Sequence, residues 1–296
     1  MKPIPDSELI INADGSIYHL NLKREHVANT IITVGDPERV PKVSRHFDEI
    51  EFQASKREFI THTGRIGQKR LTVISSGIGT DNIDILINEI DALFNIDLET
   101  RLPKKEFHRL NFIRMGTSGC LQKDIPVESI VASSYGLGLD NLMHYYHYQN
   151  TLSEAKLYDD LKDYLKHAGA LPVEPYIFSA SQDLLDTIGK SLTKGITITS
   201  PGFYAPQGRC IRGKTKLPPS YLEKLSNFNF EGNRFTNFEM ETSGIYGLAR
   251  LLGHRALSCN VILANRMAKT FSSNPKKAVE KLIKEILGRI SNAEIL

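Results

Sequence analysis

Nowhere in the 296 residues does an uncharged stretch approach the length needed to cross a bilayer, and the first thirty residues carry several charges and no apolar run. Neither a signal peptide nor a membrane span is expected, and the expected location is the cytoplasm. Cysteine is scarce. Cys120, Cys210 and Cys259 are an odd number at wide spacings, without a Cys-x-x-Cys pair or a clustered His/Cys set, so neither a disulfide framework nor a structural zinc is expected. An excess of one charge is also missing. The 37 Lys and Arg residues are scattered among 34 Asp and Glu, and a net charge of +3 gives little reason to expect a nucleic-acid partner. A site for a small anion fits that modest excess equally well. There is no internal repeat and no low-complexity tract.

What is present is an ordinary globular balance, 41% hydrophobic and 24% charged, on a length that suits one large domain or two small ones. Short apolar runs alternate with helical patterns. Thr30 to Val34 reads as a strand that ends at Gly35-Asp36-Pro37 and leads into a helix carrying Val40, Val43 and Phe47. Leu71 to Ser75 repeats the arrangement through Gly77 and Gly79 into a helix with Ile83, Leu86, Ile87, Ile90, Leu93 and Phe94 on one face. Further strands are predicted at Asn111 to Met115, Ser129 to Ser133, Ile196 to Thr199 and Ala256 to Ala264, with helices at Glu154 to Lys166, Gln182 to Leu192 and Thr242 to Leu252. A closing helix starts at Asn274-Pro275, a cap followed by proline at the first helical position, and buries Val279, Leu282, Ile283, Ile286, Leu287 and Ile290. The expectation is a single α/β domain over residues 1–296, a mixed central sheet flanked by helices in three layers. Two stretches read as loops or insertions: charged Asn95 to Leu110, and Cys210 to Arg234, which reads as a flap over a site.

Several short segments carry chemistry. Gly35-Asp36-Pro37-Glu38-Arg39 is a tight turn at a helix start with an Arg close by; alone, it also reads as an ordinary turn. Gly77-Ile78-Gly79 lacks the third glycine and later acid of a dinucleotide fingerprint, which rejects a nicotinamide site. Arg114-Met115-Gly116-Thr117-Ser118-Gly119 puts a fixed cation and hydroxyl donors at the carboxyl edge of a sheet, where oxyanions bind well. Glu239-Met240-Glu241 sets two carboxylates on one side of a strand-to-helix junction, with solvated surface acids as the plain alternative.

Together these segments, from about Tyr18 to about Arg266, resemble the uridine phosphorylases of the nucleoside phosphorylase superfamily in the same order. The resemblance implies a phosphate site of Gly35, Arg39, Arg57, Arg114 and Thr117. Arg57, in Lys56-Arg57-Glu58-Phe59, would otherwise read as a solvated residue. Phe203-Tyr204-Ala205-Pro206-Gln207-Gly208-Arg209 resembles the family's base-binding segment, although Ala205-Pro206 departs from its usual residues. Gln207 and Arg209 then hold the edge of a uracil, and Phe203 stacks on its ring. Asn237-Phe238-Glu239-Met240-Glu241 resembles the ribose motif, with Glu241 accepting from the sugar hydroxyls, Met240 packing on the sugar and Glu239 supporting. Tyr18-His19-Leu20-Asn21-Leu22 resembles a segment whose His reaches the 5′-hydroxyl in a neighbouring subunit; on its own, His19 reads as a surface residue. Asn265 stands where purine-type relatives carry a proton-donating Asp.

The resemblance implies phosphorolysis of a pyrimidine nucleoside with Arg114, Arg209 and Glu241 as catalytic residues, inorganic phosphate as co-substrate, no organic cofactor, and a homodimer at minimum. It also allows a monovalent cation at the dimer interface beside Glu58. The alternatives are a nucleosidase that uses water, a purine nucleoside phosphorylase on the same fold, and a non-catalytic nucleoside-binding protein.

Overall fold

The pentad Thr30–Val34 is buried at all five positions because it is a central strand with a parallel neighbour on each side and helices on both faces. Its alternation divides the core. Ile31 packs with the helix residues Ile83, Leu86, Ile87 and Ile245, while Ile32 and Val34 pack with Val40, Val43, Leu282 and Ile286 on the opposite face. The computed structural model describes residues 2–168, 171–294 and 296.

In chain order the strands are β1 (Thr30–Val34), β2 (Glu49–Lys56), β3 (Phe59–Ile66), β4 (Lys69–Ser75), β5 (Ile96–Asp97), β6 (Leu102–Pro103), β7 (Asn111–Cys120), β8 (Ile130–Gly138), β9 (Tyr176–Ser179), β10 (Thr193–Thr199), β11 (Asn229–Phe230), β12 (Asn233–Glu239), β13 (Arg255–Asn265) and β14 (Thr270–Phe271). The helices are α1 (Arg39–Ser44), α2 (Thr80–Asn95), α3 (Leu152–Ala168), α4 (Gln182–Thr187), α5 (Tyr221–Asn227), α6 (Thr242–Leu251) and α7 (Pro275–Asn292). The main sheet runs β11-β12-β10-β8-β13-β7-β1-β4-β3-β2 and mixes parallel with antiparallel pairs. Helices α2 and α6 cover one face; α1, α4 and α7 cover the other. This is the expected α/β domain with a mixed sheet between helical layers.

One pairing shapes the site. β12 bonds to β7 through Asn237↔Cys120 and Phe238↔Gly119, so β7, β13, β8, β10 and β12 close into a ring. The carboxyl ends of β1, β4, β7, β12 and β13 therefore converge, the position where open and closed α/β sheets keep their ligands.

The structure corrects several readings, among them the strand expected at Ser129 to Ser133, which runs on to Gly138, and Phe47, which lies beyond the end of α1. The strand expected at Asn111 to Met115 continues to Cys120, because β13 runs beside it from Asn111 to Cys120 and supplies hydrogen-bond partners to the Gly-Thr-Ser-Gly segment. The helix expected to reach Leu192 ends at Thr187. Cys210 to Arg234 is a loop only in its first half. It then forms α5 and β11, whose Tyr221, Leu225, Phe228 and Phe230 fill a third apolar cluster with Leu157, Leu161 and Ile198, and none of its residues lines the cavity described below. Asn95 to Leu110 contains the small antiparallel ribbon β5–β6, tied to the N-terminal segment by Ile4 N–H on the Arg101 carbonyl. At the last helix the expectation holds in detail: Asn274 Oδ1 accepts from Lys277 N–H at 3.0 Å, and Pro275 opens the helix.

Candidate active site

A cavity of about 740 Å³ lies at those converging strand ends. β1 delivers Gly35 and, through the following turn, Arg39. The middle of β7 delivers Arg114, its second half Thr117 and Ser118, and the end of β12 delivers Glu239, Met240 and Glu241. Leu263, Phe271 and Phe203 form an apolar wall beside Gln207 and Arg209.

At the floor sits Arg114, 4% exposed. Its Nη2 donates to Glu241 Oε2 and lies 3.2 Å from Glu239 Oε2, and its Nη1 donates to Asn260 Oδ1 at 2.6 Å. Glu241 takes a second bond at Oε1, from Gly79 N–H at 2.8 Å. Gly79 has φ +99°, which favours glycine, so the Gly77-Ile78-Gly79 turn serves to aim an N–H at a carboxylate. Glu239 is tied to the start of α6. It accepts from the N–H groups of Glu241 (3.0 Å) and Thr242 (2.9 Å) and from Thr199 Oγ1 (2.6 Å). The two carboxylates are thus buried acids on one side of the junction, not solvated surface groups.

One cation serves two buried acids, and the titration directions follow. Burial works against the charge on Arg114, but Glu239 and Glu241 outweigh it and raise its pKa above the ordinary arginine value. Burial lifts the Glu241 carboxyl above the usual range; Arg114 opposes that shift and Glu239 adds to it. Arg39 is buried with Nη1 on the Met115 carbonyl at 3.2 Å. Burial first and Arg114 second hold its pKa below the ordinary value, so an anion beside it would relieve both.

On the other side, Gln207 is 2% exposed, and its Oε1 accepts from Arg209 Nη1 at 2.5 Å. That bond fixes the amide's orientation and turns its NH2 end into the one free for a ligand. Arg209 also donates to the Phe203 carbonyl at 2.7 Å, and its guanidinium lies 3.8 Å over the Phe203 ring. One face of the ring expected to stack on a base is therefore covered by Arg209. Burial, with Arg266 nearby, lowers the Arg209 pKa to about 10. Arg266 in turn holds the loop by donating to the Gln207 carbonyl at 2.9 Å.

The cavity thus gathers Gly35, Arg39, Arg114, Thr117, Phe203, Gln207, Arg209, Met240 and Glu241 in one chain. Arg57 and His19 lie outside it. Arg57 is exposed at the tip of the β2–β3 hairpin with φ +55°, next to Lys56, whose ammonium sits over the Tyr18 ring and donates to the Tyr18 carbonyl. His19 follows Tyr18 and is held by Glu89, with Nδ1 2.5 Å from Oε1. Lys56 thus ties the hairpin tip to the segment that carries His19. Asn265 is also absent from the wall. Its Nδ2 donates to the carbonyls of Gln122 and Ile125, and its Oδ1 accepts from Met267 and Ala268 N–H. Its side chain braces the backbone and does not face a base. Glu58 lines the cavity, and among the described residues no three His, Cys, Asp or Glu side chains gather as a cation cage. Within one chain, Glu58 alone does not make up a set of ligands for a cation.

A sequence model of the phosphorylase superfamily matches residues 29–291, which spans every strand that lines this cavity. The chain belongs to that superfamily. It is 29% identical over 264 residues to a uridine phosphorylase of Thermococcus kodakarensis, covering 89% of this chain and 83% of that one. It is 26% identical over 281 residues to a uridine phosphorylase of Haemophilus influenzae, covering 90% and 96%. The fold superposes on the crystal structure of a Trypanosoma brucei nucleoside phosphorylase, described as showing uridine phosphorylase activity, with a TM-score of 0.86 and 29% identity over 96% of this chain and 100% of that chain. For this superfamily member, sequence reasoning missed Asn260, Arg266 and the Gly79 N–H. Each acts through a contact far away in sequence, and no local motif marks it.

Proposed function

We propose that this chain is a cytoplasmic homo-oligomeric phosphorylase that splits uridine with inorganic phosphate, giving uracil and ribose 1-phosphate, with deoxyuridine and thymidine as further substrates of the same type. The observation that carries the reading is the joining, in one cavity, of an anion-facing pair (Arg39 and Arg114), a buried acid for sugar hydroxyls (Glu241) and an amide–guanidinium pair (Gln207 and Arg209). The similarity to proteins named uridine phosphorylase points the same way.

In this reading a phosphate oxygen attacks C1′ from the face opposite the base, and the C1′–N1 bond breaks with its electron pair leaving on the base. Phosphate bound by Arg39, Arg114, Thr117 and the Gly35 turn supplies both the nucleophile and a negative charge beneath the cationic sugar. Glu241 fixes the sugar, with Met240 against it. Gln207 and Arg209 stabilise charge that gathers on the uracil oxygens, and the departing anion takes a proton from water.

Charge bookkeeping supports the oligomer. Arg39 and Arg114 are matched by Glu239 and Glu241, so an incoming phosphate dianion meets a formally balanced cluster. A further cation is wanted. Exposed Arg57 and half-buried His19 both lie outside their own cavity, which suits donation of both to a second copy. The test is uridine cleavage with and without phosphate or arsenate. Strict dependence is expected; equal rates in phosphate-free buffer would show a hydrolase and overturn the assignment. Inosine under the same conditions separates a purine enzyme, and absence of turnover with every substrate would point to a binding protein.

A further inference from the structure

The Arg114 guanidinium is held from a third side by a residue that the reading above does not use. Asn260 lies on β13 directly opposite Gly116 of β7, is fully buried, and accepts from Arg114 Nη1 at 2.6 Å. Its other end is also fixed. Asn260 Nδ2 donates to Ser258 Oγ at 3.1 Å, and Ser258 Oγ is 2.8 Å from Thr242 Oγ1, at the first residue of α6 and next to Glu241. The Arg114–Asn260 bond crosses the space above Gly116: a side-chain carbon placed there would sit 1.6 Å from Arg114 Nη1 and 2.2 Å from Asn260 Oδ1.

We propose that Asn260 is a positioning residue that fixes the Arg114 guanidinium in the plane it presents to phosphate. The proposal rests on the phosphorolysis reading. The two carboxylates engage Nη2 alone and leave Nη1 to be held by another partner. An acceptor on Nη1 fixes the guanidinium plane, and a neutral one does so without adding a third negative charge where an anion must bind. The amide is polarised in the right sense because its NH2 is committed to Ser258. No other arrangement of the same atoms keeps the oxygen toward Arg114 and satisfies Ser258.

The test is a double-mutant cycle on the full-length enzyme, with KM for phosphate and for uridine measured separately. Asn260→Leu keeps the side-chain size and removes the acceptor. It is expected to raise the phosphate KM by about tenfold or more, the loss of one charged hydrogen bond, while the uridine KM stays within about threefold. In an Arg114→Lys background, where no Nη1 exists, Asn260→Leu is expected to add at most about a twofold further change. A phosphate KM within about twofold of wild type for Asn260→Leu, equal rises in both KM values, or full additivity with Arg114→Lys would each overturn the proposal and make Asn260 a core residue only. If Asn260→Leu does not fold, Asn260→Ser, too short to reach Nη1, is judged by the same criteria. Failure of the function reading looks different, because the wild-type enzyme would then show no phosphate dependence.

Discussion

Gly116→Ala adds one methyl group at the floor of the cavity. Gly116 has no positive φ, so alanine fits its backbone, and any effect comes from what the methyl meets. It would sit 1.6 Å from Arg114 Nη1 and 2.6 Å from its Cζ, against an ordinary contact of about 3.5 Å, so the guanidinium must retreat by roughly 2 Å. That displacement breaks the bond to Asn260 and the pairing with Glu241. The retreat also withdraws Arg114 from the phosphate, and at about 1.5–3 kcal/mol for each charged hydrogen bond the loss of one or two is roughly 1.5–6 kcal/mol, or about 10–10⁴-fold in kcat/KM. The assay is initial-rate uridine phosphorolysis at varied phosphate, with a thermal melt on the same samples. Gly213→Ala is the control, since it adds the same methyl where no atom lies within 4 Å. Gly116→Ala activity within about threefold of wild type, in a protein with an unchanged melt, would refute the role given to Arg114.

Arg114→Ala leaves Glu239 and Glu241 buried without their cation and is expected to lower stability by about 3–5 kcal/mol; adding Glu241→Gln should recover part of the melting temperature and none of the activity. Gln207→Ala is expected to damage uridine turnover far more than folding, and inosine to be a negligible substrate, since a purine leaves buried Gln207 and half-buried Arg209 mismatched at a cost of ~10⁴-fold or more; inosine cleaved within about tenfold of uridine would contradict this. Glu154, buried at the start of α3, accepts from Thr151 and Ser179 N–H at 2.8 and 2.7 Å and pairs with Arg250; burial opposes the charge, but these contacts outweigh it and hold its pKa below the usual 4.5. A depressed carboxylate contributes stability above its unfolded pKa and loses it as pH falls through the folded value, so Glu154→Gln should cost about 1–3 kcal/mol at pH 7 and less at pH 3, the smaller figure of that range reflecting the part-exposed Arg250. Equal destabilisation at both pH values in urea melts would rule the ion pair out as the cause.

Parallel strands covered on both faces announce themselves as unbroken apolar runs, which is why Thr30–Val34 and Leu71–Ser75 were legible and why α2 and α7, with apolar residues three and four apart, were too. The β2–β3 hairpin gave no such signal. Glu49–Lys56 is an edge strand with exposed charges, and its place is set by pairing with Phe59–Ile66. The second half of β7 was hidden for a different reason, since Gly-Thr-Ser-Gly favours a turn and only the flanking β13 makes it a strand.

The site divides along the same line. Glu239 and Glu241 were placed on one side by strand alternation, a local rule, and that placement holds. Their shared partner Arg114 is more than a hundred residues away, and what brings it there is the β12–β7 pairing at Phe238↔Gly119. The same closure sets Arg209, whose Nη2 lies 3.5 Å from the position of a side-chain carbon on Gly119, beside the end of the strand that carries Arg114. The anion-facing groups on β7 and the base-facing loop therefore meet at the end of one strand. A change that loosens the β12–β7 contact should weaken Arg114 and Arg209 together, although neither residue is altered. In Asn237→Ala, which removes the Thr197 and Thr236 hydrogen bonds beside that contact, the KM values for phosphate and uridine should rise in step. A rise in one alone would mean that the two halves of the cavity are held independently.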